Sequence, residues 1–261
     1  MVALITGGGR GIGRAVALRL AKNGWDVAIA ARSADELAAT AKDAGGRTLA
    51  VAADVASPEQ VRAMVQRTES ELGPIDLLVN NAAVAGPMTP FWETDPADWW
   101  RCQEVNVRGP MLCCHEVVPG MMRRRNGRIV NLSSGAGARA VPNMGSYVLS
   151  KTAMMRFSEQ LAMELAPYGI QVFPIRPGVV RTRMVESVRQ NVPIVQQFLD
   201  EGRDVPPEAT ADLVEYLAAG KADALSGCVL SVQENWDEMV RRAEEIHREQ
   251  MYVLRVRDMV G

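Results

Sequence analysis

The most constraining feature of this chain is a regular alternation of short apolar runs with longer segments of helical periodicity. Seven runs are predicted to form β-strands, at residues 2–5, 27–31, 48–52, 77–80, 128–132, 171–175 and 228–232. Most of them are continuously apolar, which is typical of strands that are covered on both faces. Parallel strands need crossover connections, and the helical segments supply them. We therefore predict an α/β fold, a doubly wound, seven-stranded parallel sheet flanked by helices on both faces.

No proline- or serine-rich linker and no internal repeat divides the chain, so residues 1–261 are predicted to form a single domain. Residues 183–207 contain three prolines and a weak helical pattern, which favours a substrate loop or lid over a cleft. Residues 233–261 are highly charged and are predicted to form a C-terminal helical extension. One amphipathic helix there would carry on one side Trp236, Val240, Ala243 and His247. This extension would pack on the domain surface, contact a neighbouring subunit or border the cleft.

Charge and composition argue against several functional classes. The formal net charge of −2 provides no broad basic field, so nucleic acid is not expected as a partner. No apolar run is long enough to span a bilayer, so no membrane partner is expected, and a strand predicted from residue 2 leaves no room for a signal peptide. Four cysteines without CxxC spacing indicate a reducing, cytoplasmic location. With only two histidines, we expect no metal site.

A glycine-rich turn at residues 6–13 follows the first predicted strand and opens the first predicted helix. Gly7 permits a tight turn, Gly11 lets the backbone approach a pyrophosphate, and Gly13 allows the helix to pack closely on the strand. The helix N-terminus offers unpaired N–H groups to a phosphate. The pattern therefore predicts a dinucleotide site, and the alternative is a bare strand–turn–helix connection.

The end of the second predicted strand indicates which dinucleotide binds. NAD-binding sheets usually place a carboxylate there, which accepts a hydrogen bond from the ribose 2′-hydroxyl. Here Ala30 and Ala31 occupy the place, followed by Arg32, and Arg10 lies in the glycine turn. Guanidinium groups bind a phosphate well, so we predict NADP(H) as the cofactor. The alternative is that Arg32 is a solvated loop charge.

Tyr147 and Lys151 lie four residues apart in a predicted helix, so both side chains can point into one cleft. A neighbouring ammonium stabilises a phenolate, and we therefore expect Lys151 to lower the pKa of Tyr147. A tyrosine of this kind can act as an acid or base near neutral pH.

These residues resemble the short-chain dehydrogenase/reductase family, and the resemblance extends from residue 2 to about residue 232. The family's TGxxxGxG turn, adenine-side Asp, NNAG motif, helix Asn, catalytic Ser and PG motif are matched in order by Thr6, Gly7, Gly11, Gly13, Asp54, Val55, Asn80, Asn81, Ala82, Asn106, Ser134, Pro177, Gly178 and Thr182. Ala83 replaces the glycine of the NNAG motif. The resemblance implies a Rossmann-type fold.

The resemblance also implies roles for individual residues. Tyr147 would exchange a proton with the substrate oxygen, and Ser134 would hydrogen-bond that oxygen. Lys151 would bind the nicotinamide ribose, and Asn106 would hold a water that links Lys151 to solvent. Ser133 could take the place of Ser134, and Asn106 could have a structural role alone. The cofactor would lie against Thr6, Gly7, Gly9, Arg10, Gly11, Ile12, Gly13, Arg32, Asp54, Val55, Asn81, Ala82, Tyr147, Lys151, Pro177, Gly178, Val180 and Thr182.

The implied function is that of an NADP(H)-dependent oxidoreductase, a homodimer or homotetramer, acting on a small-molecule carbonyl or secondary alcohol. Its substrate pocket would draw on residues 85–88, 139–144, 179 and 184–197, which are mixed apolar and polar. One alternative is a 3-oxoacyl-acyl-carrier-protein reductase, for which Arg139 and Arg181 could form a basic docking patch. Another alternative is a catalytically silent NADP(H)-binding sensor or scaffold.

Overall fold

A computed structural model describes residues 1–256 and contains one seven-stranded sheet in which every strand pair is parallel. The strands are β1 (Val2–Thr6), β2 (Asp26–Ala31), β3 (Thr48–Ala52), β4 (Ile75–Asn80), β5 (Gly127–Leu132), β6 (Ile170–Arg176) and β7 (Leu230–Ser231). Their order across the sheet is β3-β2-β1-β4-β5-β6-β7. The predicted fold class is confirmed, although the last strand is shorter than predicted.

Helices cover both faces of the sheet. They are α1 (Gly11–Lys22), α2 (Ala34–Ala44), α3 (Pro58–Glu71), α4 (Pro96–Gln103), α5 (Gly109–Arg124), α6 (Gly145–Leu165), α7 (Arg183–Val188), α8 (Pro193–Asp200), α9 (Pro207–Ala218), α10 (Trp236–Arg241) and α11 (Ala243–Arg248). Within residues 1–256, none of these helices is long and apolar enough to cross a membrane.

The core consists of two apolar layers, one on each face of the sheet. In β1, Ala3 and Ile5 belong to one layer and Leu4 to the other, because successive side chains of a strand point to opposite faces. Leu20 of α1 packs in the first layer and Met64 of α3 in the second. Each large side chain that is fully buried in this way contributes about 1.5–3 kcal/mol. The continuous apolar runs of the sequence are thus explained by burial on both faces.

The sheet places a cleft between the ends of β1 and β4. The chain crosses from β1 to β2 and β3 on one side, and then returns to β4 on the other side of β1. At such a reversal of strand order the following loops diverge, and a crevice opens outside the carboxyl ends of the strands. The glycine turn, residues 6–13, lies at this position because it joins β1 to α1.

Glycine is required at position 13 by the close packing of α1 on this edge. A Cβ atom at Gly13 would lie 2.3 Å from the Gly7 carbonyl oxygen and 2.5 Å from Asn81 Nδ2. The same Asn81 Nδ2 donates to the Thr6 carbonyl at 2.9 Å and to the Gly7 carbonyl at 3.2 Å. A methyl group at position 13 would therefore displace both the turn and the asparagine that joins it to β4.

The tail differs from its predicted form in one respect. Two short helices, α10 and α11, replace the single predicted helix, with a break at Arg242. The backbone of Arg242 has φ −102° and ψ 18°, outside the α-helical region, while its guanidinium pairs with Glu245. Met239 and Ile246 are buried against the first core layer, so this part packs on the domain surface. Residues 257–261 of the predicted extension lie outside the described residues.

We expect Gly13→Ala to destabilise the protein, because its new methyl group has no room. Forcing a methyl group into a close-packed site costs on the order of 3 kcal/mol, or about 6–12 °C in Tm for a chain of this size. Melting followed by circular dichroism checks the prediction. Gly135→Ala is the control, since a Cβ there meets no heavy atom within 4 Å. Equal Tm values for the two variants would contradict the packing argument.

Candidate active site

The cleft outside β1 and β4 has a volume of about 730 Å³ and collects most of the predicted cofactor residues. Those that line it are Gly7, Gly9, Arg10, Gly11, Ile12, Arg32, Asp54, Val55, Asn81, Ala82, Tyr147, Lys151, Pro177 and Thr182. The remaining four, Thr6, Gly13, Gly178 and Val180, are not among the lining residues. Thr6 instead supports the wall, because its hydroxyl accepts hydrogen bonds from the Asn81 and Ala82 N–H groups at 3.1 Å.

The glycine turn has the shape that a phosphate-binding loop requires. Gly7 and Gly11 have φ values of +67° and +54°, which side-chain-bearing residues rarely adopt. A Cβ at Gly11 would lie 3.2 Å from Thr182 Cγ2, so backbone and Thr182 approach closely there. No side chain caps the N-terminus of α1, which leaves its first N–H groups directed toward the cleft. The turn therefore fits a dinucleotide pyrophosphate.

One end of the cleft is rich in arginine. Arg10 Nη1 lies 3.0 Å from Glu36 Oε1, and Arg183 Nη1 lies 3.1 Å from the same oxygen. Arg32 lines the cleft as well, and within residues 1–256 it forms no ion pair with a carboxylate. Glu36 was not predicted from the sequence, because it belongs to no recognisable motif, and Arg183 was predicted only as the first residue of the loop 183–207.

Asp54 lies at the same end of the cleft and is held by two donors. The Ala56 N–H donates to its Oδ1 at 2.9 Å, and Arg101 Nη2 donates to its Oδ2 at 2.8 Å. Burial pushes the pKa of Asp54 upward, but these hydrogen bonds outweigh it and leave the pKa below its ordinary value. Asp54 is therefore an anion with a fixed orientation. Sequence reasoning did not identify Arg101, whose contact joins α4 to the end of β3.

Tyr147 and Lys151 share one face of α6, as predicted. Lys151 Nζ lies 5.6 Å from the centroid of the Tyr147 ring. The same ammonium donates to the Leu132 carbonyl at 2.8 Å and is 4% exposed. Because Leu132 ends β5, this contact fixes the start of α6 against the sheet.

The expectation that Lys151 lowers the pKa of Tyr147 is wrong for the protein by itself. Burial raises the pKa of Tyr147 to about 12, and a hydrogen bond with Ser134 offsets only part of this effect. Burial also lowers the pKa of Lys151 to about 8. Both shifts have the same cause, since a group that loses its hydration favours its neutral form. Desolvation is thus the largest cause of both pKa shifts.

The two adjacent serines that follow β5 have different surroundings. Ser133 Oγ donates to the Lys151 carbonyl at 2.8 Å, and the residue is 2% exposed. Ser134 Oγ accepts from the Ala136 N–H at 3.2 Å, and the Ser134 side chain acts on the Tyr147 phenol by lowering its pKa. Ser134 is therefore the serine beside the phenol, while Ser133 joins β5 to α6.

Asn106 lies in a wider, π-helical turn, Glu104–Arg108, between α4 and α5. Its side chain accepts from the Val84 N–H at 2.8 Å and donates to the Val84 carbonyl at 2.9 Å. Asn106 Nδ2 also donates to Ser150 Oγ at 3.1 Å. These bonds hold the loop after β4 against α6, next to Lys151. π-turns of this kind are frequent at functional sites.

An apolar cluster packs against Tyr147. Its buried members are Met88, Met144 and Val192, and around them lie Ala85, Val141, Tyr147, Val148, Val188 and Val195. Sequence analysis placed these segments near the substrate but did not separate their apolar and polar residues. In the structure, Gln190, Gln196 and Gln197 line a different depression.

The described part of the chain has no group of three or more His, Cys, Asp or Glu side chains that could hold a metal ion. All four cysteines are buried and none is in a disulfide.

Comparison with known proteins identifies relatives of this chain. The family model described as short chain dehydrogenase matches residues 1–193. The chain is 35% identical over 234 residues to cis-4-hydroxycyclohexanecarboxylate dehydrogenase of Sinomonas cyclohexanicum, covering 88% of this chain and 94% of the relative.

Two solved structures are similar throughout. An actinorhodin polyketide ketoreductase variant with NADPH has a TM-score of 0.84 at 32% identity, covering 90% of this chain and 97% of that one. The 3-ketoacyl-(acyl-carrier-protein) reductase from Brucella melitensis, complexed with NADH, has a TM-score of 0.82 at 31% identity, covering 90% and 98%. The glycine turn, the Tyr147–Lys151 pair and these comparisons lead to one conclusion: the chain belongs to the short-chain dehydrogenase family.

Proposed function

We propose that this protein is an NADP(H)-dependent oxidoreductase that transfers a hydride between the nicotinamide and a small-molecule carbonyl or secondary alcohol. The observation that carries the proposal is the pairing of Tyr147 with Lys151 at one end of a glycine-lined cleft, with Ser134 beside the phenol. The opposite end holds Arg10 and Arg32. One end is therefore equipped for proton transfer, and the other for binding a phosphate.

The nicotinamide supplies or accepts the hydride when the cofactor is bound. In reduction, Tyr147 donates its phenolic proton to the carbonyl oxygen of the substrate. Its raised pKa keeps this proton in place at neutral pH, so the side chain is ready as an acid. Ser134 donates a hydrogen bond to the same oxygen and holds it in line. In alcohol oxidation Tyr147 takes up the proton instead.

Lys151 and Asn106 support the tyrosine. The Lys151 ammonium donates one hydrogen bond to Leu132, which leaves further donors for the hydroxyls of a ribose. Its charge also favours the phenolate that forms as Tyr147 gives up its proton. Asn106 positions the loop after β4 and, through Ser150, the first turns of α6. We propose that it also holds a water for proton exchange.

The preference for NADP(H) is part of the proposal and is supported by residues of this chain. Ala30 and Ala31 end β2 without a carboxylate that would repel a 2′-phosphate. Arg32 follows them and lines the cleft, and Arg10 reaches the same region from the glycine turn, where it pairs with Glu36 of the same cleft. The solved relatives carry NADPH in one case and NADH in the other, so the residues of this chain are the better guide.

The alternatives have less support from the site. A carrier-protein reductase needs a basic docking patch, yet Arg181 lies 3.2 Å from Asp204 and 3.9 Å from Glu186. A silent cofactor-binding sensor would not require Tyr147 and Lys151 side by side.

We further propose that the protein is a homodimer or homotetramer in the cytoplasm. Four buried cysteines that form no disulfide support the cytoplasmic location.

We expect Tyr147→Phe to reduce ketone turnover with NADPH by about 100-fold or more, because general acid catalysis is lost. Consumption of NADPH with a panel of ketones and quinones, followed at 340 nm, measures the effect. Tyr168→Phe removes the hydroxyl of a partly exposed tyrosine beyond the end of α6 and should leave turnover unchanged. Equal turnover by wild type and Tyr147→Phe would remove Tyr147 from its proposed role.

Arg32→Asp should weaken NADPH binding roughly tenfold to a hundredfold, because a charge-assisted bond to the 2′-phosphate becomes a repulsion. NADH binding should change far less. Fluorescence titration with both cofactors gives the two Kd values. Arg14→Asp makes the same charge change on α1, where Arg14 pairs with Asp43 outside the cleft, and should not alter the preference. An unaltered ratio of the two Kd values in Arg32→Asp would overturn the NADP(H) assignment.

The pH dependence of kcat/KM should show the titration of the buried Lys151 ammonium. Lys151 is a cation below its pKa of about 8 and loses its charge as pH rises through that value. With the Tyr147 pKa near 12, the phenol stays protonated throughout this range. We therefore expect kcat/KM for ketone reduction to be level below pH 8 and to fall by about tenfold per pH unit above it.

The variant Lys151→Arg separates the lysine from other titrating groups. Its guanidinium remains charged at every pH tested, so the variant should be less active but show no fall near pH 8. The same fall in both proteins would assign it to a different group.

A further inference from the structure

Resting on the proposed NADP(H) dependence, we infer that Arg183 is a third arginine for the 2′-phosphate of the cofactor, beside Arg10 and Arg32. Glu36 is a positioning residue, because it holds the guanidinium groups of Arg10 and Arg183 close to the place of that phosphate. The inference goes beyond the proposed function, which assigned the cofactor preference to Arg10 and Arg32 alone.

Glu36 brings together two arginines from distant parts of the chain. Arg10 belongs to the glycine turn and Arg183 begins α7, and their Nη1 atoms lie 3.0 Å and 3.1 Å from the same oxygen, Glu36 Oε1. Laid end to end, these two distances place the nitrogens no more than 6.1 Å apart. One phosphate group can bridge such a pair, because each charge-assisted bond to one of its oxygens spans about 2.7–2.9 Å.

The packing of α2 on the glycine turn fixes the position of Glu36. A Cβ atom added to Gly9 would lie 3.0 Å from Glu36 Cβ, so the two residues are in close contact. The buried Thr40 hydroxyl, one turn further along α2, donates to the Gly9 carbonyl at 3.0 Å. The Glu36 N–H donates to Ser33 Oγ at 3.4 Å, at the start of the helix. The carboxylate therefore extends from a fixed backbone.

This carboxylate lies at the end of the cleft where the adenosine ribose is expected. In dinucleotide-binding folds, the ribose 2′ position is contacted at the carboxyl end of the second strand. Arg32 and Ser33 form the short connection between β2 and α2. Both residues line the cleft together with Glu36 and Arg183. Arg183 is therefore held near the expected 2′ position, although it is far from Arg32 in the chain.

The charges at this end match those of a phosphate monoester. Arg10, Arg32 and Arg183 provide three positive charges, and Glu36 provides one negative charge, which leaves two positive charges. A phosphate monoester carries about −1.5 to −2 at pH 7. A 2′-hydroxyl is uncharged and gains no charge-assisted bond from this group. The arrangement thus favours NADP(H) over NAD(H).

Two other charged side chains of the cleft are already paired. Arg101 Nη2 donates to Asp54 Oδ2 at 2.8 Å, and Arg181 Nε lies 3.2 Å from Asp204 Oδ2. Each pair is neutral as a whole, so neither one changes the balance of charge at the phosphate end.

Arg183 has donors left for a phosphate while Glu36 holds it. A guanidinium has five N–H donors, and the contact with Glu36 involves one nitrogen, Nη1. The Arg183 side chain is 70% exposed, so its other nitrogens are accessible to a ligand in the cleft. Glu36 and the phosphate can therefore share this arginine.

Substitution of Arg183 tests its proposed contact. We expect Arg183→Gln to raise the Kd for NADPH by about tenfold, because a charge-assisted bond is lost, and to change the Kd for NADH by less than about twofold. Fluorescence titration with both cofactors gives the two values. Since the side chain is mostly exposed, the variant should keep the wild-type Tm.

Arg189→Gln is the matched control, because Arg189 also belongs to residues 183–207. It lies 3.0 Å from Glu186 and is not among the residues that line the cleft, so its substitution should leave both Kd values unchanged. Equal weakening of NADPH and NADH by Arg183→Gln would mean that Arg183 contacts the pyrophosphate or only closes the cleft, and would overturn the inference. Unchanged Kd values for both cofactors would overturn it as well.

A double substitution tests the role of Glu36. Without this carboxylate Arg183 is no longer held, so in a Glu36→Ala background Arg183→Gln should change the ratio of the two Kd values by less than about twofold. A carboxylate that merely competed with the phosphate would give the opposite result, a larger effect of Arg183→Gln in that background. An equal or larger effect would therefore overturn the positioning role.

The inference and the proposed cofactor preference can fail separately. If Arg32→Asp alters the ratio of the two Kd values and Arg183→Gln does not, the inference alone is overturned. If the wild-type protein binds NADH as tightly as NADPH, the NADP(H) assignment fails and the inference fails with it.

Discussion

The approach of α1 to the ends of β1 and β4 determines how the rest of the cleft is built. Its central contact is the space at Gly13, where the carbonyl of Gly7 and the amide of Asn81 leave no room for a methyl group. Thr6 completes this junction, because its hydroxyl receives the N–H groups that follow β4. Since both strands end at this point, the position of the helix N-terminus and the position of the loop after β4 are set together. The phosphate end of the cleft is therefore as rigid as the sheet.

At the end of the cleft that holds Tyr147 and Lys151, close packing removes water from the two side chains and changes their pKa values. Lys151 is buried and Tyr147 is partly buried, and loss of hydration shifts each toward its neutral form, to a pKa of about 12 for Tyr147 and about 8 for Lys151. A phenol that holds its proton is suited to donate it, and an ammonium that is easily neutralised is sensitive to its surroundings. The contact of Lys151 with Leu132 and the bond from Asn106 to Ser150 keep the first turns of α6 in place. The arrangement thus favours the acid form of the site over the base form.

The sheet and the dinucleotide cleft could be predicted from the sequence. Strands buried on both faces are continuously apolar, and a glycine-rich turn between a strand and a helix is typical of a phosphate-binding loop. Other features depend on tertiary packing, which periodicity does not record. The break between the two C-terminal helices at Arg242 is such a feature, because the helical spacing of apolar residues continues through Arg242. Spacing favoured Ser134 over Ser133, but the different contacts of these two adjacent side chains follow only from the packing of β5 against α6. The raised pKa of Tyr147 was mispredicted, because the degree of burial follows from the fold and not from a neighbour four residues away.

Residues 183–207 connect the two ends of the cleft. They begin beside the glycine turn, where Thr182 and Gly11 are in near contact and Arg183 pairs with Glu36. Further along, Val192 packs in the apolar cluster at Tyr147. The first contact is polar and close to the phosphate site, while the second is apolar and close to the reacting groups. One continuous segment makes both contacts, so the two ends of the cleft share a structural element. Through this segment the backbone joins a contact at the glycine turn to the apolar packing around Tyr147.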